Sequence, residues 1–428
     1  PFHSGTVFAF VILVVLCYLF ITYTRKTGKS LYQTIALSVV YMMIGFSCWL
    51  VIPIRAIANP PMNLNDPDNA LGMLDYYNRE QYGDWPTLYG QNYTAYLDPN
   101  GIQKNEDGSY KTEKTGDTYE KDATTGQYRK VGEKFNYVFS KEHVGFLPRM
   151  FSEDKSVMPN YISMYGAPDF TFNYGNEQVA ESPEAKQFFD ELRQKYENGT
   201  IKMDDYLKAK QFGIINVQKP TLAQNLDYFI TFQNYYYFGR YLLWNFAGRQ
   251  NDVEGHMENT NGNFITGIPF IDNNIWGDQS EMPAKFQNES TVKFFMLPLI
   301  LGLLGFFFQL NRDFGRFYAI LSLFILTSVG IVFYTGMKPF EPRERDYAMV
   351  GSFYAFAIWI GLGVAAIYWL LQKKIKTKSA QIIVGVVLLG IPFMMGFQNY
   401  NVHDRSGRYT AYDYAYSSLK SLPKDGIM

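Results

Sequence analysis

Long apolar runs alternate with short polar links along the chain, interrupted once by an extended polar stretch. Six runs are apolar over enough residues to cross a bilayer as helices: about 6–24, 31–52, 294–310, 317–335, 350–371 and 380–397. Roughly 20 apolar residues, rising ~1.5 Å each, cover about 30 Å of hydrocarbon. Between the second and third runs lies an insert, 53–293, long enough to hold its own core. The pattern predicts an α-helical polytopic membrane protein, with about six transmembrane helices here and a large mixed α+β extracytoplasmic insert. Its divisions are 1–52 (the first two spans), 53–293 (the insert), 294–397 (the other four, with an outer loop at 336–349) and 398–428, the start of an extracytoplasmic C-terminal part.

Sidedness follows from lysine and arginine in the short links. Arg25, Lys26 and Lys29 occupy the first; Arg312 and Arg316 the third; Lys373, Lys374, Lys376 and Lys378 the fifth. Parity places these on one face, which should be cytoplasmic. The insert, the loop 336–349 and the tail from 398 then share the opposite face.

Within the insert, 68–82 reads as a short helix with Asp66 or Asp68 as N-cap. From 96 to 137 the alternating Tyr, Lys and Thr, with Asn-Gly, Asp-Gly and Thr-Gly pairs, suits solvent-exposed hairpins. Residues 183–211 suggest two amphipathic helices broken at Asn198-Gly199. The stretch 218–246 is aromatic enough to tempt a seventh span, yet Asp227, Gln233, Asn234, Arg240 and Asn245 would then sit at membrane depth. It is expected instead to lie at the interface, with Tyr and Trp at headgroup level.

Composition excludes more than it assigns. The formal charge of −1 gives no reason to expect a nucleic-acid partner. Mean hydropathy of −0.16 averages very apolar segments with the polar insert. Cys17 and Cys48 both sit in apolar runs, and the four histidines lack ligand spacing, so neither a disulfide, a metal nor another cofactor is expected. No Ser-His-Asp or Cys-His pairing, P-loop or dinucleotide fingerprint is present. Pro1 at the start and Asp425-Gly-Ile-Met428 at the end suggest an internal segment of a longer protein.

The densest candidate chemistry is Lys338-Pro-Phe-Glu-Pro-Arg-Glu-Arg-Asp-Tyr347, which sets five charges between Glu341 and Asp346. The plain reading is a solvated turn whose acids and arginines pair among themselves. The functional reading is an anion site at the membrane surface, in which Arg343 and Arg345 grip a lipid-linked phosphate while Glu341 and Tyr347 meet sugar hydroxyls. The tail repeats this chemistry with Asp404, Arg405 and Arg408. Further clusters hold Arg79 and Glu80, and Arg249 and Asp252. A general base for glycosyl transfer would be an acid near the surface. Glu344, Asp346 and Asp404 are in range, and nothing in the sequence chooses among them.

The blocks NREQYG (78–83), FLPRMFS (146–152), RYLLWNFAGRQND (240–252), PFEPRERDYAMVGSFYAFAIWIGLG (339–363) and HDRSGRYTAYDYA (403–415) resemble a large bacterial multispanning membrane family. That family, long catalogued as a domain of unknown function, is similar to the animal transmembrane protein O-mannosyltransferase. Both are placed with the GT-C glycosyltransferases. The resemblance covers essentially the whole chain and implies a GT-C-like enzyme of the bacterial inner membrane, its insert and both segment ends facing the periplasm. It would move a mannose-like sugar from a polyprenyl-phosphate donor to Ser or Thr of exported proteins. Family members begin with further spans and an outer loop bearing a Trp-Asp-Cys-Gly-Glu-Phe-type motif, which holds the catalytic acid. That motif does not occur here, so the resemblance places the acid upstream of Pro1.

Two other readings compete. One is a non-enzymatic scaffold subunit of an envelope assembly, docking other envelope proteins on the insert. The other is transport, disfavoured because the runs 6–24, 294–310 and 380–397 carry almost no ionisable residues to line a path. The expected partners are membrane lipids and the exported acceptor.

Overall fold

The computed structural model describes residues 4–78, 80, 85–122, 124–173, 175, 182–340, 346–372, 374 and 377–423. The chain divides into two compact units, 1–85 with 112–136, and 86–111 with 137–428. Among the described residues, four helices rather than the expected six are long and apolar enough to cross a membrane, namely Ser30–Ile57, Phe314–Thr335, Tyr347–Gln372 and Gln381–His403, and Leu297–Arg312 is apolar but shorter. With the mostly helical content, this is a polytopic helical membrane protein.

In the first unit, α1 (Ser4–Lys26) packs on α2 (Ser30–Ile57), and α3 (Ala70–Asn78) follows. The N-cap of α3 is Asn69 rather than an aspartate. Its Oδ1 accepts from the N–H of Leu71 at 3.0 Å and of Gly72 at 3.1 Å, satisfying two orphan donors of the first turn. β2 (Thr112–Lys121) and β3 (Tyr128–Tyr137) form a hairpin. Its Thr-Gly turn is held by Asp122, whose Oδ1 accepts from Thr124 and Thr125, with Gly126 at φ 68°.

The second unit holds the rest. β1 (Tyr89–Gln91) pairs with β4 (Val144–Phe146), and β5 (Phe170–Phe172) with β6 (Ile215–Val217), both antiparallel. Around them lie α4 (Met158–Tyr165), α5 (Pro183–Glu197) and α6 (Met203–Phe212), the last two separated at Asn198-Gly199. The Asn-Gly pair at 100–101 is not an exposed hairpin turn. Gly101 is buried, and a Cβ there would meet Ala95 O at 2.1 Å.

The stretch expected to lie at an interface is instead a core helix, α7, over 222–246. It begins at a Thr221–Gln224 capping box and runs through Leu222–Asp227, a π-helical section Tyr228–Gly239, and Arg240–Phe246. Tyr228, Phe232, Tyr236, Tyr237, Phe238, Trp244 and Phe246 are all buried by protein. Its polar residues find internal partners, which is why they do not force it to the surface. Gln233 Nε2 donates to Met337 O at 2.7 Å, and Arg240 donates to Gly262 O.

Beyond α7 come β7 (Gly248–Arg249), α8 (Pro269–Trp276) and β8 (Val292–Lys293), then α9 (Leu297–Arg312), α10 (Phe314–Leu326) and α11 (Val329–Thr335). The break between α10 and α11 lies at Thr327 and Ser328, whose hydroxyls donate back to Leu323 O and Phe324 O, each at 2.6 Å. α12 (Val350–Gln372), α13 (Lys378–His403) and α14 (Thr410–Lys420) complete the chain. α9 and α12 meet backbone to backbone. A Cβ at Gly305 would lie 1.8 Å from Trp359 O, and one at Gly363 would lie 2.0 Å from Leu301 O. Between them Trp359 Nε1 donates to Gln309 Oε1 at 2.9 Å, a small-residue contact with a buried polar pair of the kind that joins helices in lipid.

Candidate functional site

Three of the separate clusters singled out in the sequence line a single open cleft of about 750 Å³ in the second unit. Tyr347 comes from the turn leading into α12, Trp244 and Arg249 from the end of α7 and β7, and His403 and Asp404 from the end of α13. The antiparallel course of α12 and α13 explains this: the N-terminus of one and the C-terminus of the other share one end.

Local geometry fixes Arg249. β7 pairs with β8 as Gly248↔Lys293 and Arg249↔Val292. Gly248 has φ 143°, and a Cβ there would strike Ile265 O at 2.5 Å and Val292 O at 2.6 Å, so only glycine fits the crossing. Arg249 Nε donates to Ser290 O at 2.8 Å, and the guanidinium sits 5.7 Å from the Trp244 ring centre. Trp244 is held in turn by Nε1 donating to Gly262 O at 3.0 Å. Arg249 Nη2 is buried and has no hydrogen-bond partner among the described residues. Burial lowers the pKa of this guanidinium, against the opposing charge of Asp252 and the nearby Tyr241. It remains a cation, as an arginine does at any ordinary pH.

α13 is tied to the same hairpin by one side chain. Gln398 Oε1 accepts from Lys293 N–H at 2.9 Å while its Nε2 donates to Lys293 O at 3.0 Å. The amide thus completes β8 as a third strand would. Five residues on, His403 Nδ1 lies 2.9 Å from Asn399 O. Asp404 Oδ1 accepts from the Ser406 hydroxyl at 2.6 Å and its N–H at 2.9 Å, and these bonds hold the carboxyl below the usual aspartate range.

The wall of the cleft is rich in acceptors. Asn245 Nδ2 donates to Tyr241 O at 2.8 Å, and Asn399 Nδ2 to Met395 O at 2.9 Å. A carbonyl only accepts, so one N–H of each amide is taken by its own helix, while the second N–H and the oxygen remain. With Asp404 and His403 they place several acceptors in the cleft, beside Arg249, the one cationic side chain among its described lining residues. Beside the cleft, and sharing Gly396 and Tyr400 with it, an apolar groove of about 420 Å³ runs along α13 past Pro392, Phe393 and Phe397.

A family model matches here. It is that of a family of unknown function (DUF8416), over residues 83–230. No curated protein and no solved structure matches the chain. The matched segment ends before Arg249, so the residues named in the cleft lie outside it.

The remaining expected site residues are dispersed. Arg79, Glu341, Arg343, Glu344 and Arg345 lie outside the described residues, and Asp346 opens the turn Asp346–Met349. Arg405 and Arg408 are exposed between α13 and α14. Asp252 accepts from Asn288 Nδ2 at 2.9 Å. Glu80 belongs to the other unit, where it pairs with Lys134 at 2.9 Å. Two amides of the block at 240–252, Gln250 and Asn251, are structural. Buried Asn251 donates to Thr260 O and Phe286 O, and Gln250 to Asn259 O, pinning the loop below Arg249.

Sequence reasoning passed over Arg149. It is buried, donating from Nε to Gln233 Oε1 at 2.9 Å, from Nη1 to Phe333 O at 3.2 Å and from Nη2 to Val332 O at 3.4 Å. The last two are carbonyls at the C-terminal end of α11, so an arginine of the insert caps a helix that leads to the charged loop. An arginine flanked by Leu147, Pro148, Met150 and Phe151 in an otherwise polar insert was the available signal.

Proposed function

We propose that the chain is the substrate-binding part of a membrane glycosyltransferase with a GT-C-like arrangement, set in the bacterial inner membrane with the cleft toward the periplasm. It transfers a mannose-like sugar from a polyprenyl-phosphate donor to Ser or Thr of exported proteins. One observation carries the reading: a cleft that, among the described residues, is lined by one arginine and several acceptors adjoins an apolar groove along a membrane-spanning helix. A ligand complementary to it has one anionic group, many hydroxyl donors and a long apolar chain, which describes a lipid-linked sugar phosphate.

In this reading Arg249 takes the phosphate, and its charge gains on the transition state, where the leaving phosphate becomes more negative. Asp404, Asn245 and Asn399 accept from sugar hydroxyls. The Tyr241 ring, packed on buried Trp244 at 5.0 Å and 31°, is the aromatic edge of the cleft nearest a sugar ring. Arg343 and Arg345 stay candidates for a second phosphate contact. The full-length protein should transfer sugar from a polyprenyl-phosphate donor to an exported acceptor, and Arg249→Ala should lower kcat/KM by about 10²-fold. Unchanged transfer in that variant removes Arg249 from the site. Absence of transfer in the wild type, with an envelope protein co-purifying on the insert, favours the scaffold reading.

A further inference from the structure

The insert holds a small cavity of its own, about 160 Å³, where the chain enters β5 and leaves β6. It shares no lining residue with the cleft, and its lining falls wholly within the segment that the family model matches. Tyr93 forms part of its wall although only 2% of that residue is exposed. The ring stacks on Tyr161 at 5.0 Å, and the Tyr93 N–H donates to Met150 O at 3.0 Å, so its place is fixed. Its hydroxyl has no hydrogen-bond partner among the described residues. That hydroxyl lies toward Pro168, another wall residue: Tyr206 donates to Pro168 O at 2.7 Å, and Tyr93 adds to the rise that burial causes in the Tyr206 pKa. A buried hydroxyl left without a partner is costly, and a ligand that pairs it regains that cost.

The rest of the lining narrows the ligand class. Asp169, Gln218 and Lys219 are exposed at the mouth. One carboxylate and one ammonium cancel, which favours neither an anion nor a cation. The buried group is a neutral hydroxyl, which both donates and accepts, whereas a charge brought against it would lose its water without gaining an opposite charge. The volume is well under the ~300 Å³ of pockets that take drug-sized ligands. A ligand matching these features is small, neutral and rich in hydroxyls. We propose that this cavity binds a single neutral sugar unit, with Tyr93 pairing an inner hydroxyl and Asp169, Gln218 and Lys219 the outer ones. The site stands whether or not the chain transfers sugar at the cleft.

The test is saturation-transfer NMR titration of the protein in lipid nanodiscs. The probes are methyl α-mannopyranoside, methyl β-glucopyranoside and N-acetylglucosamine, with L-alanine and glycylglycine as zwitterions and inorganic phosphate as an anion. At least one of the sugars should bind saturably with a Kd on the order of 1 mM, as about twelve heavy atoms of ordinary ligand efficiency give. Tyr93→Phe should weaken that binding about threefold to tenfold, the share of one hydrogen bond. Its thermal unfolding should match wild type, because the hydroxyl it removes pairs with no described protein group. Gln218→Ala, at the exposed mouth, should weaken binding to a similar degree without touching the core. The proposal is overturned by the absence of saturable sugar binding, by binding that both variants leave unchanged, or by tighter binding of the zwitterions or phosphate. A lowered unfolding temperature in Tyr93→Phe overturns it as well, since the hydroxyl would then serve the fold.

Discussion

Replacing Arg149 tests whether the insert sets the geometry of the membrane-side loop. Its guanidinium donates to one amide oxygen and two helix-end carbonyls and stands 4.8 Å from the Phe333 ring centre and 5.2 Å from that of Phe229. Hydrogen bonds from a charged donor contribute about 1.5–3 kcal/mol each, and a desolvated cation over a ring about 2 kcal/mol. Against these stands the cost of burying the charge, which also lowers the guanidinium's pKa. The third contact, at 3.4 Å, adds little. Truncation to alanine removes every contact and strands Gln233 Oε1 and the end of α11, for an expected loss of about 3–5 kcal/mol. Arg149→Lys keeps the charge but not the fork, and should lose about 1–2 kcal/mol. Arg149→Met is the decisive arm, because it keeps the length and abolishes the burial cost. Denaturant unfolding in detergent gives the stability, and amide hydrogen exchange over 329–340 gives the local effect. If Arg149→Met matches wild type in both, the clamp is neutral and the argument that it organises α11 is wrong.

Other outcomes follow from single features. Gly305→Ala should part α9 from α12 at a cost of about 1–3 kcal/mol, whereas Gly361→Ala, with nothing within 4 Å of the new carbon, should be silent in thermal unfolding. Gln398→Ala removes both bonds to Lys293, each contributing about 0.5–1.5 kcal/mol; faster exchange of the Lys293 amide is the readout, and an unchanged rate refutes the clip. On the β2–β3 hairpin, hydrogen bonds from Lys114 and Lys130 pull Asp117 down to about 2. Its folded value is depressed below the ordinary 3.8, so its contribution is complete above that pH and is lost as pH falls through about 2. Carboxyl chemical shifts across that range, which should show a midpoint near 2, check the sign.

Four of the six expected spans were legible because a bilayer demands apolar length, and that demand is written along the chain. Their pairing was not. Gly305 and Gly363 become meaningful only once Trp359 O and Leu301 O stand opposite them, 54 and 62 residues away in sequence. The protein contacts of 218–246 were hidden for a related reason. Gln233 and Arg240 look like surface residues until Met337 O and Gly262 O are there to accept from them. At the cleft, the clusters holding Arg249 and Asp404 stood out because charge beside aromatic rings at the end of an apolar run is unusual.

α13 is scarcely covered by the rest of the protein: no position in its most apolar window, within Gln381–His403, is buried. The glutamine clip therefore fastens a stave whose outer side belongs to the bilayer. On the proposed reading, a long-tailed substrate would slide into the groove sideways, from among its neighbouring lipids, without any gate having to swing open. Its arrival and departure would then be governed by how freely those lipids move, and membrane composition would control turnover.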